Sequence, residues 1–272
     1  MRFFVILGML FAAAPVFAQE GMPYIDDLLG ADVIIIGEVH DNPFHHENQA
    51  AIVRSIDPPA LVFEMFGPDE GGEANVLLSE MLLGETDADL LAEVLRWREN
   101  GWPDFDMYVP IIDGAPAAIL FGGAVHRDDI EQAMNSSAAE VFGEYATDYA
   151  LDQPLPQAEQ AEREAMQFEA HCEGIPETLL PKMVEAQRLR DATLADAAVI
   201  AWAETYGPVV IITGNGHARA DWGIPHYLRQ IAPDMNVITI GQEEEGTPLT
   251  MPFDYIMTTA GVDRGDPCEE FG

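Results

Sequence analysis

The sequence predicts an α/β fold: three layers, α/β/α, built around a mainly parallel sheet. Three observations carry the prediction. Runs such as Val33-Ile34-Ile35-Ile36 and Val209-Val210-Ile211-Ile212 are apolar at every position. That is the pattern of strands buried on both faces. Helical periodicity falls between such runs, and alternating strands and helices need crossovers that cover both faces of the sheet. Both runs also lead into a glycine followed by polar residues, which marks a strand end.

The first strand is Ala31 to Gly37. Asn42-Pro43 then opens a helix, with Asn as the cap and Pro at the first helical position. It extends to about Ile56 and stops at Asp57-Pro58-Pro59. Ala60 to Phe66 reads as a second strand. Helical patterns follow near 73–83 and 87–98, and residues 104–113 fit neither period. Ala117 to Gly122 is a third strand. Residues 157–206 are helical, with a break at Gly174-Ile175-Pro176. Pro208 to Gly214 is a further strand, and 236–240 and 255–258 are weaker ones. The strand-poor stretch, about 67–206, reads as a helical insertion in a single domain covering 19–272. No internal repeat, low-complexity tract or linker interrupts it.

Composition narrows the function. Forty-eight acidic residues oppose 12 basic ones, for a formal net charge of -36. A nonspecific nucleic-acid binder needs Lys and Arg for phosphate, so that class is excluded. Docking on anionic lipid is disfavoured for the same reason. With 48% hydrophobic residues, the chain has material for a large core.

Residues 1–18 read as an export signal. Met1-Arg2 is followed by the apolar run Phe3 to Phe11 and by Val16-Phe17-Ala18, a small-residue cleavage site. Cleavage is expected before Gln19, leaving a soluble periplasmic protein. No later segment is long and apolar enough to span a bilayer, and no Cys near the cut offers a lipid anchor. In an oxidising compartment the two cysteines, Cys172 and Cys268, are expected to form a disulfide. It would close a loop of roughly 97 residues, worth about 4–5 kcal/mol on the chain-entropy model. A thiolate metal site with His171 is the lesser alternative.

Chemistry gathers at the strand ends. Gly37-Glu38-Val39-His40 follows the first strand, and Gly214-Asn215-Gly216-His217 follows the strand at 208–214. In a parallel sheet both ends open on one edge, where ligands normally sit. Glu64 lies within the second strand, where a charge needs a partner. His40, Glu64 and His217 therefore form a candidate divalent-metal set. Glu38 or Glu64 would be ligand or general base, and spacing does not decide which. His45 and His46 begin the first helix, and either one is a candidate to face the cavity. His126 also follows a strand, whereas His171 and His226 read as structural. No GxGxxG, P-loop or G-x-S-x-G elbow is present, and the absence of CxxCH excludes covalent c-type haem.

Gly37-Glu38-Val39-His40-Asp41-Asn42 with His45-His46 resembles the opening of the ChaN-like haem-binding uptake proteins, grouped with the Tiki, TraB and erythromycin-esterase proteins. Gly214-Asn215-Gly216-His217 through Asp221-Trp222-Gly223-Ile224-Pro225 resembles the second signature. His171-Cys172 and Ala186-Gln187-Arg188-Leu189-Arg190-Asp191-Ala192 resemble the central motif. The resemblance implies an α/β/α core and haem as cofactor, with a role in haem or iron uptake. It carries a metal role onto His40, Glu64 and His217 but no haem-ligating Tyr or His; His40, His46, Asn215, His217 and Arg219, at or near the strand ends, are the candidate ligand contacts. It also makes Arg190 and Asp191 a buried supporting pair. Arg127, Arg219 and Tyr227 are candidates for propionate or axial contacts. The resemblance is compatible with a homodimer stacking two haems. The alternative function is a metal-dependent hydrolase of small amides, esters or peptides, with Glu38 and Glu64 as catalytic carboxylates.

Overall fold

The computed structural model describes residues 19–20, 23, 25–81, 87–265 and 268. The expected export signal, 1–18, lies outside the described residues. Among the described residues, seven strands form one sheet: β1 (Gln19–Glu20), β2 (Val33–Glu38), β3 (Ala60–Phe63), β4 (Ile119–Gly122), β5 (Val209–Gly214), β6 (Val237–Glu244) and β7 (Tyr255–Thr259). Their order is β1-β7-β6-β2-β5-β3-β4, and every pairing is parallel. The helices are α1 (Ile25–Leu29), α2 (Pro43–Ile56), α3 (Pro68–Met81), α4 (Ala88–Val94), α5 (Val109–Ile112), α6 (Arg127–Asn135), α7 (Ala138–Phe142), α8 (Gln157–Ala170), α9 (Leu180–Thr205), α10 (Asn215–Ala218) and α11 (Ile224–Ile231).

Alternate residues of the central strands feed two cores, as the pleat requires. Ile34, Ile36, Leu61, Phe63, Val210 and Ile212 pack on one face with residues of α1 to α5. Val33, Ile35, Ala60, Val62, Val209 and Ile211 pack on the other with α6, α7, α9, α10 and α11. This is the three-layer α/β/α arrangement. The strand-poor stretch 67–206 contains β4, and its later helices supply most of the layer on the second face. The 26 residues of α9 bury an alanine-rich side, Ala192, Ala195, Ala198 and Ala201, against the sheet. Small side chains there let the helix lie close to β3 and β5.

Local signals explain most boundaries. Asn42 caps α2 by accepting from the Phe44 N–H, with Pro43 at the first helical position. Asp57 ends that helix in a left-handed conformation, φ 49°. The second strand is shorter than the sequence predicts: β3 stops at Phe63, and Glu64 stands just beyond it. The undecided stretch 104–113 folds as a 3₁₀ turn, Phe105–Met107, followed by α5.

Strand order creates the site. From β2 the chain passes through α2 on one face to β3, two places along the sheet. From β5 it passes through α10 and α11 on the other face to β6, on the far side of β2. Neighbouring strands whose connections leave in opposite directions open a crevice at their C-terminal ends. The register sets Glu38 beside Gly214 and Phe63 beside Ile212.

Candidate functional site

A cavity of about 650 Å³ opens at this crevice. Its floor is the edge formed by Glu38, Val39, His40, Glu64, Gly214, Asn215 and His217. Apolar walls come from Trp102, Met166, Val184, Trp222, Leu249 and Met251, and Arg163 and Arg190 add charge. The volume lies within the usual range for small-molecule sites.

Two carboxylate–histidine pairs stand on the floor. On one side, the buried Glu38 takes a hydrogen bond from His40 Nδ1 at 2.7 Å. It also accepts from Tyr108 Oη at 2.6 Å and from Gln49 Nε2 at 2.7 Å. These donors fix the carboxylate, which in turn fixes the His40 ring. Trp102 meets that ring edge-on at 5.0 Å between centroids. Roughly a third of the His40 side chain is exposed. Burial opposes charge on His40, but the hydrogen bond to Glu38 and the carboxylates of Glu64, Glu38 and Asp41 outweigh it, raising the imidazole to about 9.

On the other side, His217 Nδ1 donates to Asp191 Oδ1 at 2.6 Å, and its Nε2 lies 3.4 Å from Glu64 Oε1. Burial again opposes the charge, and the flanking Glu64 and Asp191 carboxylates raise His217 above its usual range. Glu64 sits between the pairs. Its Oε2 accepts from Thr213 Oγ1 at 2.6 Å and from the Gly214 N–H at 2.8 Å. Burial alone would raise this carboxyl. Both histidines and these two donors bring it down to about 2. Gly214 is part of the design: a Cβ there would stand 3.1 Å from His40 Nε2 and 3.7 Å from Glu64 Oε2. The missing side chain keeps the space between the pairs open.

Several expected site residues take other positions. His46 is buried behind the floor. Its Nε2 donates to the His40 carbonyl at 2.9 Å, and its Nδ1 lies 3.0 Å from Gln49 Oε1. His45 Nδ1 accepts from the Val39 N–H at 2.9 Å, so neither helix histidine lines the cavity. Asn215 reaches the cavity wall, but its amide exchanges two hydrogen bonds with the Gln242 backbone. Arg219 grips Asp221 through two nitrogens at 2.6 and 2.7 Å and lies 3.4 Å over the Trp222 ring. It supports the wall from behind. Tyr227 is buried in the core on the second face, and Arg127 pairs with Glu131.

Two expectations need correction. Arg190 and Asp191 do not form a pair: adjacent helical residues point about 100° apart, so Asp191 turns to His217 while Arg190 lines the cavity. Nor do His40, Glu64 and His217 form a metal set. Among the described residues, no group of three His, Cys, Asp or Glu side chains is placed to hold a metal ion. The disulfide is present: Cys172 and Cys268 are bonded, with Cα atoms 5.5 Å apart.

Other contributors escaped the sequence reading. Tyr108 lies where no period was legible. Arg163, Met166, Gln167 and Ala170 share one face of α8, at i, i+3, i+4 and i+7. That spacing was a usable signal inside a helix crowded with acidic residues.

A family model described as haem-binding uptake, Tiki superfamily, ChaN matches residues 24–228. The chain belongs to the ChaN family. Among solved structures, this ChaN-family chain is similar to ChaN of Campylobacter jejuni, in a structure titled for cofacial haem binding. The TM-score is 0.67 at 21% identity, over 85% of this chain and 89% of that one. The likeness establishes a shared fold. The type III effector HopBA1 matches at TM-score 0.49 and 12% identity, over 88% of this chain and 94% of its own. A Bacillus cereus protein matches at TM-score 0.43 and 12% identity, over 85% of this chain and 72% of its own. No curated protein matches the chain.

Proposed function

We propose that the protein binds haem in this cavity and serves haem or iron uptake, with His40 as an iron ligand. The observation that carries the reading is the His40 geometry. Its Nδ1 is tied to a buried, triply hydrogen-bonded carboxylate, and its Nε2 borders the apolar cavity. A carboxylate behind the distal nitrogen is the usual support of a metal-ligating histidine. The remaining lining suits a tetrapyrrole: aromatic and thioether walls for the ring, arginines for its carboxylates. The bound group would supply a redox-active iron. The chain supplies an apolar-walled slot, a fixed imidazole and cationic side chains. Ligation requires His40 Nε2 to give up its proton.

The proposed location is the periplasm. Residues 1–18 support it by their pattern, and a disulfide within the folded chain suits an oxidising compartment. Mass spectrometry of the exported protein should show a mature chain beginning at Gln19. An N-terminus still carrying Met1 would contradict export with cleavage.

A second reading, hydrolysis of a small ester or amide, draws on Glu64. This carboxylate stays ionised between two histidines at the cavity floor. Haem-free protein that hydrolyses p-nitrophenyl acetate, and loses that activity in Glu64→Gln, would favour it. The main test is a hemin titration followed by absorbance. A saturable, shifted Soret band is expected.

A further inference from the structure

We propose that Arg190 anchors a carboxylate of the bound ligand, whose acidic edge lies where the large cavity meets a smaller one. The proposal deepens the haem reading and rests on it.

The charge inventory points to Arg190. In a chain with 48 acidic and 12 basic residues, a cation finds a carboxylate easily. Among the described residues, most arginines are ion-paired, and Arg229 donates to the carbonyls of Ala220 and Asp221. Two have neither kind of partner: Arg54, which is exposed to water, and Arg190, which is half-buried. A half-buried guanidinium with five uncommitted donors is an open receptor for a planar oxyanion, which it grips through two parallel hydrogen bonds.

Its place in the fold gives that receptor a target. Arg190 lines the 650 Å³ cavity and also a neighbouring one of about 330 Å³, and Trp102 is the other residue shared by the two. The smaller cavity carries Arg96, Arg127 and His126 as well, with the carboxylates of Glu70 and Glu99. Arg96 is committed to Glu99 and Arg127 to Glu131, so the free donors belong to Arg190. Its backbone is held in α9 between Leu189, which is in the core, and Asp191, which holds His217. The anchor and the cavity floor are therefore set by one rigid turn of helix.

The same residue answers an electrostatic problem. A net charge of -36 repels an anionic ligand over long range. A local unpaired cation lining an apolar slot offsets that repulsion where the acidic edge must rest. The ligand class is thus an apolar ring bearing carboxylates. Its apolar body meets Trp102, Met166 and Trp222, and one carboxylate meets Arg190.

The test compares hemin with hemin dimethyl ester, which has the same ring and iron but no free carboxylates. Each is titrated into mature wild-type protein, Arg190→Gln and Arg190→Lys in one buffer with a fixed low level of detergent. Arg190→Gln should weaken hemin binding about 10- to 100-fold, the range for one charge-assisted hydrogen-bonded contact. It should leave ester binding unchanged. Arg190→Lys, which keeps the charge and loses the fork, should fall between. A thermal midpoint for each variant checks that the fold is intact. Equal weakening of hemin and ester, or no effect on either, would overturn the anchor while leaving the haem reading standing. Wild-type protein that binds neither compound would defeat the haem reading and the anchor with it.

Discussion

Asp191 Oδ1 lies 2.6 Å from His217 Nδ1, so a residue of the long helix orients a residue at a strand end across 26 positions of sequence. Both side chains are buried. The bond fixes the imidazole so that Nε2 faces Glu64. Glu38 does the same for His40 from the opposite side of the cavity. The floor of the site is therefore two oriented imidazoles around one ionised carboxylate.

Removing one member of a buried pair strands the other. Asp191→Ala should destabilise the protein by about 3–5 kcal/mol, read as a lower urea midpoint with an unchanged slope. Wild-type stability in this variant would mean that His217 is held by something other than Asp191.

Glu38 offers a different split. It accepts from His40, Tyr108 and Gln49, and a Gln side chain would turn an amide N–H toward a donor. Glu38→Gln should cost about 1–3 kcal/mol for the stranded group. It should also weaken hemin binding about 10- to 100-fold, the usual effect of losing the group behind a metal-ligating histidine. Loss of stability with hemin affinity intact would separate Glu38 from ligand binding.

The tail is tied to the body through Cys172 and Cys268. Denatured, unreduced protein should therefore show no free thiol. On the chain-entropy model, reduction should cost about 4–5 kcal/mol. Two titratable thiols before reduction would contradict the pairing.

His45 gives a pH signature. It is fully buried, its Nε2 has no partner among the described residues, and burial pulls the imidazole down to about 4. The unfolded chain takes up this proton near pH 6.5 and the folded chain only near 4. The contribution of neutral His45 is thus complete above 6.5 and is lost as pH falls toward 4. His45→Asn keeps an acceptor for the Val39 N–H without an ionisable ring. The stability gap between wild type and this variant should be widest at pH 7 and should narrow by roughly 3 kcal/mol by pH 4. A gap that does not change with pH would show that His45 is not held neutral.

What was legible in the sequence follows from the physics of each element. β2 and β5 are β-branched and buried on both faces, so their runs stand out. The cap and proline of α2 are local signals that tertiary contacts do not override. The edge chemistry was legible too, because parallel strands deliver their C-terminal residues to one side. β3 was overextended because Met65 and Phe66 are apolar; the Glu64 N–H still bonds the Ile212 carbonyl while its side chain turns to Thr213 and Gly214, and the strand goes no further. Tyr108 comes from a short turn without periodicity, and its partner Glu38 is 70 positions away. The cavity face of α8 was hidden by the acidic residues around it. The pairing of Arg190 with Asp191 came from the family resemblance, and helix geometry turns these adjacent residues apart.

The central claim is that His40 presents its Nε2 to haem iron inside this cavity. The most direct measurement is a hemin titration of mature wild-type protein beside His40→Ala, followed through the Soret band. The account predicts saturable binding with a shifted band in wild type, and loss of that shift with much weaker binding in His40→Ala. Identical spectra and affinities in the two proteins would contradict it.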